Sequence, residues 1–506
     1  VPGSLVGESV LCLENPLTDN TAPEVEPLVA ATRGRQRHKL PGWRAEALRT
    51  TFWLAPCVMV VVAVGLFAIT CTIDLAAYHH HLTLPFWIRT GSADAGRQVL
   101  IAIAAAIITV IGVVFSITIL ALTLASQQFG PRMMRNFMRD LGNQITLGVF
   151  VGTFVYSVLT LEFMTGNFVP HLSITIAEAL LLVNLGVLVY FIHHIAKSIQ
   201  LPEVIARIAG DLFDAIDSEF PISGVRSTDL GRDVNGRSAA ELSQILDDRG
   251  ASVPATSDGY LQFVAYGQLI KIATRLDAVI RLSHRPGHFV IAGRPLATVW
   301  PGGAANQARE ALAVAHLSGP HRTLSQDPVF AIDQLVEIAI RALSPAVNDT
   351  FTALTCIDWL SAGLCRISGR VFREGVYRDE FGRIRLIEQD PSYERMTNRA
   401  FDKIRQAGHG MPAVIIRLLD ALNHVMAYTR EPAQRDVLIR QAEMILRSAE
   451  RELDEANDLD DVRRRYEALV STSQQMTRGA TALSWSEGGE ARTTTDWEYP
   501  PVISEK

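Results

Sequence analysis

Four long apolar runs dominate the N-terminal part of the chain. Leu54–Ile73 extends for 20 residues without a charge, Val99–Ala125 for 27 and Ile145–Leu161 for 17, and Ile174–Ala196 for 23 with one acid, Glu178. A bilayer core of about 30 Å needs roughly 20 helical residues, so the first two runs satisfy that length outright. The third is short, and Glu162 and Phe163 extend it at the interface. No soluble fold needs four such runs so close together, and the pattern predicts four transmembrane helices.

Beyond Ala196 the period changes. Leu201–Phe220 carries apolar residues at helical spacing and continues span four as an amphipathic helix. Residues 222–258 are rich in Gly, Ser and Asp and read as a linker with one short helix, Ala239–Arg249. Tyr260–Ala265, Ala278–Ser283, Phe289–Ala292 and Leu296–Trp300 read as strands, with a helix at Gln268–Arg275 and turns at Arg285-Pro286-Gly287-His288 and Gly293-Arg294-Pro295. From Ala304 the pattern is mostly helical. Asp327 before Pro328 predicts an N-cap and a proline at the first helical position. Ser344-Pro345 stops that helix, and Asn348 or Asp349 caps the next. Val371–Tyr377 and Arg383–Glu388 read as a hairpin, two or three helices follow between Ser392 and Ser471, and the remaining residues lack periodicity and read as a disordered tail, 471–506. The expected fold class is an α-helical membrane domain with four transmembrane helices plus a cytosolic α+β domain, a small β-rich module with helices. The expected divisions are a tail (1–45), the membrane domain (46–197), a helix and linker (198–257) and the α+β domain (258–470).

Composition hides this segregation: 48% hydrophobic and 20% charged would suit a soluble protein. Residues 1–196 hold 11 basic and 11 acidic groups, so residues 197–506 carry the whole net charge of −6. Neither part is basic enough for nucleic acid. Arg33, Arg35, Arg37, Lys39, Arg44 and Arg49 precede span one, Arg132, Arg135 and Arg139 lie between spans two and three, and Lys197 follows span four. The opposite loops hold only Arg89 and Arg97. The positive-inside rule then places both termini in the cytoplasm, and the expected location is a bacterial inner membrane. Residues 1–32 show no apolar h-region and so no cleavable signal peptide; they read as a disordered tail or an over-extended reading frame.

Three strings carry a family resemblance: Ala125-Ser126-Gln127-Gln128-Phe129-Gly130-Pro131-Arg132, Arg285-Pro286-Gly287-His288-Phe289-Val290 and Ala342-Leu343-Ser344-Pro345-Ala346-Val347-Asn348-Asp349. With the four apolar runs, the chain resembles bacterial predicted membrane proteins of the domain-of-unknown-function 2254 family over roughly residues 45–470. The resemblance implies an inner-membrane protein with a cytosolic C-terminal region, and it implies no activity.

Polar groups inside apolar spans are costly and often functional. Glu178, Asn184 and His193 on span four, with Thr109 and Ser116 on the small-residue face of span two (Ala105, Thr109, Gly112, Ser116, Thr123), form a candidate membrane pathway. Asp74, Glu162 and Glu178 would form an acidic outer rim. The structural alternatives are interfacial carboxylates, an Asn bonded to a neighbouring helix, and close helix packing, for which Gly148-x-x-x-Gly152 on span three is also suited. Met133, Met134, Phe137, Met138 and Leu141 recur at helical spacing among Arg132, Arg135 and Arg139. That segment is a candidate inner-leaflet helix meeting anionic lipid headgroups, or equally a helix docked on the cytosolic domain. His79-His80-His81 reads as a solvated loop, with a pH- or metal-sensing role the sharper alternative.

In the cytosolic part, Arg322, Asp327, Asn348 and Asp349 bracket one amphipathic helix. They could bind an anionic ligand or a metal, or could simply be caps. The five cysteines form no CxxC pair and imply neither a metal site nor disulfides. No nucleotide, zinc, calcium or hydrolase motif is present, and no cofactor is implied. Four spans alone make a thin pore wall, so conduction would need self-association around an axis. The leading expectation is a homo-oligomeric channel- or transporter-like protein with a cytosolic assembly or gating domain. The alternative is a membrane-anchored sensor or scaffold whose cytosolic domain binds a ligand or partner.

Overall fold

The computed structural model describes residues 54–79, 92–129, 140–165, 168–220, 232–370, 375–388 and 392–486, together with Pro85, Ile88 and Phe372. The N-terminal tail, His80, His81 and the arginines Arg132, Arg135 and Arg139 lie outside the described residues. The chain divides into two compact units, residues 1–114 with 136–188, and residues 115–135 with 189–506.

Four helices match the four apolar runs: α1 (Leu54–Tyr78), α2 (Ala93–Phe129), α3 (Leu141–Glu162) and α4 (His171–Ser198). Each is long and apolar enough to cross a membrane. The shortest run lies innermost: 56% of the most apolar window of α3 is buried, against 22% in each of the others. Its glycines explain this position. A Cβ on Gly148 would lie 2.9 Å from Met59 Cγ and 3.2 Å from Pro56 Cα, and one on Gly152 would lie 3.3 Å from the Met59 carbonyl oxygen. The Gly148/Gly152 pair therefore packs α3 against α1 within one chain, the role small residues serve between apolar helices.

Several of the polar groups buried in this unit are bonded across helices. Asp74 near the end of α1 accepts from the backbone N–H groups of Leu172 (2.8 Å) and Ser173 (2.9 Å) and from the Ser173 hydroxyl (2.7 Å). It caps α4 from another helix, satisfying donors that a helix N-terminus leaves open. Tyr156 on α3 shares a hydrogen bond with Thr70 on α1 (3.0 Å) and donates to the Ser173 carbonyl (3.2 Å). Asp74 is thus tied to the first turn of α4 and is buried, not part of an open acidic rim.

After the apolar helices, the second unit continues with α5 (Leu201–Glu219) and α6 (Ala239–Arg249), the latter begun by a capping box between Ser238 and Glu241. A five-stranded sheet has the order β1 (Ala251–Pro254), β5 (Pro295–Trp300), β3 (Val279–Leu282), β8 (Ile384–Ile387), β7 (Val376–Arg378). A three-stranded sheet has the order β4 (Phe289–Val290), β2 (Gly259–Val264), β6 (His316–Gly319). Helices α7 (Tyr266–Arg275) and α8 (Ala305–Ala315) pack with them. The expected hairpin exists as β7–β8, and β8 joins the module by pairing in parallel with β3. Buried Arg385 on β8 holds it there, reaching Asp379 (2.8 Å) and Asp277 (2.8 Å). Burial raises the Asp379 carboxyl, but Arg385 and the backbone N–H groups of Arg383 and Phe381 outweigh it and hold the group below its ordinary range. The module is larger than the run of expected strands from Tyr260 to Trp300. It gains β1 and α6, whose Leu242 and Leu246 meet Val279, Ile384 and Ile387. Strands β1 and β6 were hidden because each has four residues and only one or two apolar side chains.

A second core is helical, formed by α5, α9 (Pro328–Ala342), α10 (Thr350–Ser368), α11 (Tyr393–Ala407), α12 (Pro412–Met426), α13 (Pro432–Glu452) and α14 (Ala456–Ser486). Helix α14 continues through 486, past the point near 471 where apolar periodicity stops, because its polar later turns lack an apolar face to read. Helices α5 and α10 run side by side in the same direction: Trp359 meets Phe213 (ring centroids 5.9 Å), and Arg366 pairs with Asp217 (3.4 Å).

If Asp74 fastens α4 to α1, Asp74→Ala should lower the melting temperature in detergent, at a cost of about 2–3 kcal/mol, typical of a lost charged acceptor at buried donors. Asp74→Asn, which keeps one carbonyl oxygen, should lie between the variant and the parent in scanning fluorimetry.

Candidate functional site

The β module and the helical core meet at the segment that leads into α9. Loop residues 320–327 are fastened to β2: Gln262 donates to the His321 carbonyl (2.7 Å), Thr323 donates to the Gln262 carbonyl (3.2 Å), and the Gln326 amide pairs with both backbone groups of Val264 (2.9 and 3.1 Å). Gln326 adopts a left-handed backbone, φ +59°, which turns the chain into the helix.

That fastening sets Arg322 between two carboxylates. Its Nε and Nη2 donate to Asp327 at 2.9 and 3.1 Å, a two-pronged grip, and its Nη1 donates to Asp333 at 2.5 Å. Arg399 from α11 binds Asp333 from the other side, with Nη2 to Oδ2 at 2.9 Å. The Arg322 guanidinium also lies over the Phe330 ring, 5.1 Å from its centroid. Sequence pairing of Arg322 with Asp327 is therefore realised, but Asp327 does not cap: its side chain makes no bond to the first turn of α9. The guanidinium engages both of its oxygens.

Asn348 and Asp349 are not brought to this place. They follow the other end of α9, which has 15 residues and so is about 22 Å long. There Asp349 is the cap of α10, accepting from the Thr352 N–H (3.1 Å) and hydroxyl (2.6 Å), and Asn348 turns the loop with φ +50°.

The Arg285–His288 turn completes the site. A Cβ on Gly287 would lie 2.2 Å from an Asp327 carboxylate oxygen, and the glycine has φ +91°. Only glycine allows both the backbone and the close approach. Arg285 is buried and its Nε faces His288 Nε2 at 3.3 Å. Burial, then Arg285 and the charges of Arg395, His284 and Arg322, lower the His288 pKa to about 4. Burial raises the Asp327 carboxyl, against the pull of Arg322 and Arg285. Beside this turn is a pocket lined by Glu219 and Phe220 at the end of α5, Arg285, Tyr266, Tyr377 and Glu388. The two tyrosine rings stack at 5.0 Å with 13° between planes, and Tyr377 donates to Glu388 at 3.4 Å. Burial and the neighbouring Glu388 drive the Tyr266 pKa far upward, so it is a neutral phenol. Among the described residues no group of three His, Cys, Asp or Glu is placed to hold a metal ion.

The sequence showed Arg285 and His288 as part of a turn and of a string carrying the family resemblance, with no site role, and did not single out Asp333, Arg399, Tyr266, Tyr377 or Glu388. A Pro-Gly turn flanked by Arg and His was the one available signal. The membrane candidates are spread out. Asn184 is buried and donates to Thr153 on α3 (2.7 Å) and to the Leu180 carbonyl (2.8 Å). Glu178 and His193 are exposed on the same helix, on faces other than that of Asn184, and Thr109 and Ser116 are exposed along α2.

Gly287→Ala should cost about 2–4 kcal/mol in chemical denaturation of the C-terminal unit, from strain at positive φ and the displaced Asp327 carboxylate. His288 adds a pH dependence. Its folded pKa near 4 lies below the ordinary value of 6.5, so the unfolded chain takes up the proton first as pH falls. The stabilisation present above about pH 6.5 is lost as pH falls toward 4. Asp327, with a raised pKa, acts in the opposite sense. Denaturation midpoints of the parent should therefore fall more steeply between pH 6.5 and 4 than those of His288→Gln; equal slopes would remove His288 from the pH response.

Comparison with known proteins agrees with the fold and leaves the chemistry open. The model of the family described as "Predicted membrane protein (DUF2254)" matches residues 49–424. Uncharacterised proteins of Mycobacterium bovis and Mycobacterium tuberculosis are 31% identical over 422 residues, covering 81% of this chain and 78% of theirs. No solved structure matches. The match takes in all four apolar helices, the whole β module, and both the Arg285–His288 turn and the Arg322–Asp327 pair, and the four helices support a membrane location. The chain belongs to the DUF2254 family of predicted membrane proteins.

Proposed function

We propose that the protein is a membrane-anchored sensor or scaffold of the bacterial inner membrane whose cytoplasmic C-terminal region binds a small polar ligand. The observation that carries this reading is the pocket at Arg285, Tyr266, Tyr377 and Glu388, with Glu219 and Phe220 from the end of α5 in its wall. Helix α5 starts three residues after the last apolar helix ends, so a ligand seated there touches the same helix that leads to the membrane. Polar groups converging among aromatic walls, with perturbed pKa values beside them, are the usual marks of a binding site. The test is a thermal-shift screen of the full chain in detergent against a panel of anionic and zwitterionic metabolites. A true ligand at about 100 times its Kd should stabilise the C-terminal unit by about 2.7 kcal/mol, and Tyr266→Ala should abolish the shift. A shift that survives Tyr266→Ala places the binding elsewhere, and a panel with no effect counts against the reading.

A second reading, a homo-oligomeric channel or transporter, has one observation in its favour. Glu178, a carboxylate within an apolar helix, is exposed on the outside of the chain together with Thr109 and Ser116 on α2, and such groups favour a polar axis over lipid. It predicts that Glu178→Gln changes the ion flux of reconstituted vesicles at least several-fold, on the scale of the cost of an intramembrane charge. Vesicles that pass no ions under any gradient exclude it.

A further inference from the structure

The loop between α9 and α10, together with the first turn of α10, carries two large apolar side chains in the open: Val347 is 53% and Phe351 82% exposed. Its backbone is fully organised. The N–H groups of Val347 and Asn348 both donate to the Ser344 carbonyl (3.0 and 2.9 Å), the Asp349 N–H closes back on Ala342 (2.8 Å), and the Asp349 carboxylate caps α10. Pro345 and Ala346, also exposed, extend the apolar tip. The loop therefore holds its apolar groups outward by construction.

Two independent alignments place that tip along the fold. Helices α5 and α10 are parallel, with Trp359 against Phe213, Gly363 against Leu212, Arg366 against Asp217 and Arg370 against the Phe220 carbonyl. Counting back from the Gly363–Leu212 contact, Phe351 lies 12 residues and Leu201 11 residues away, about 18 and 17 Å at 1.5 Å per residue. The tip is thus level with the first turn of α5. Helix α9 gives the same answer from the opposite direction. Its N-terminal Pro328 and Val329 line the same pocket as Glu219 and Phe220 at the far end of α5, so its C-terminus, from which the loop springs, returns toward Leu201.

Leu201 is three Cα steps from Ser198, where the last apolar helix ends, a reach of at most about 11 Å. We infer that the Ser344–Phe351 loop is a membrane-contact element that seats Val347 and Phe351 in the interfacial layer of the bilayer beside the point where the chain leaves it. This rests on the reading that the apolar helices cross a bilayer. The occupant of the apolar tip is lipid: a side chain as exposed as Phe351 gains by leaving water, and aromatic and aliphatic groups on short structured elements are what an interfacial contact requires.

The test uses the full chain reconstituted in phosphatidylcholine–phosphatidylglycerol vesicles, with or without bromine on the acyl chains. An environment-sensitive fluorescent amino acid is placed singly at Val62 on α1, at Phe351, or at Phe381. Phe381 is equally apolar and is 62% exposed, but it sits in the β7–β8 turn of the hairpin whose Tyr377 and Glu388 line the pocket at the other end of α5. Brominated lipid should quench the probes at Val62 and Phe351 and leave the probe at Phe381 unchanged. Quenching at Val62 without quenching at Phe351 overturns the inference while leaving the membrane helices intact. Equal quenching at Phe351 and Phe381 overturns it too, since the region would then meet lipid by another face. A probe at Val62 that is not quenched removes the membrane reading, and the inference falls with it.

Discussion

The guanidinium of Arg322 holds the C-terminal region together, because four segments meet at it or at its partners. A buried charge is tolerated only when it is paired and hydrogen-bonded. Here the pairing requires Asp327 at the start of α9, Asp333 six residues further on and Arg399 of α11 to remain where they are. The loop that delivers Arg322 is pinned to β2, and Gly287 of the neighbouring turn touches the Asp327 carboxylate. Loss of Arg322 would leave the buried Asp327 carboxylate without its two-pronged partner, which costs far more than the net worth of the pair. The β module and the helical core are thus registered by charge geometry as well as by apolar contact, and the pocket lies at the seam so formed.

The apolar helices follow the same rule with their own buried polar groups. Without water, each buried polar atom needs a partner supplied by the chain. Asp74 finds the open N-terminus of α4, Tyr156 finds Thr70 and Ser173, and Asn184 finds Thr153. These bonds run toward or from α3, the least apolar of the four helices and the most enclosed, or cross directly from α1 to α4. A span that looks too short and too polar for lipid is suited to a position surrounded by other helices.

Much of the architecture was legible before any coordinates. The apolar runs gave the four helices, and α5, α6 and α7 follow from apolar spacing closed by Ser238, Gly250 and the Ala265 boundary. Strands β2, β3 and β5 were readable from their apolar side chains, as was the β7–β8 hairpin. Strands β1 and β6 were not, because a four-residue strand at the margin of a sheet is defined by its partners more than by its own side chains. The candidate site was half legible. Asp327 and Arg322 stood out as polar residues beside a helix boundary, yet the rule that assigns an Asp before a proline to capping gave the wrong role to Asp327. A carboxylate goes to its strongest donor, and a guanidinium with two N–H groups in line outcompetes a single backbone amide.

What the sequence determined by itself was the division of the chain into an apolar helical part and a polar α+β part, together with the family to which it belongs. Those follow from composition and local period, which each segment carries within itself. The tertiary structure alone decided which polar residues meet. It brought Gly287 and Asp327 together across 40 positions, separated Asn348 from Arg322 by the length of α9, and turned Glu178 and Asn184 to different faces of one helix. Contacts between distant positions depend on how elements pack and which way they run, and no local pattern encodes that.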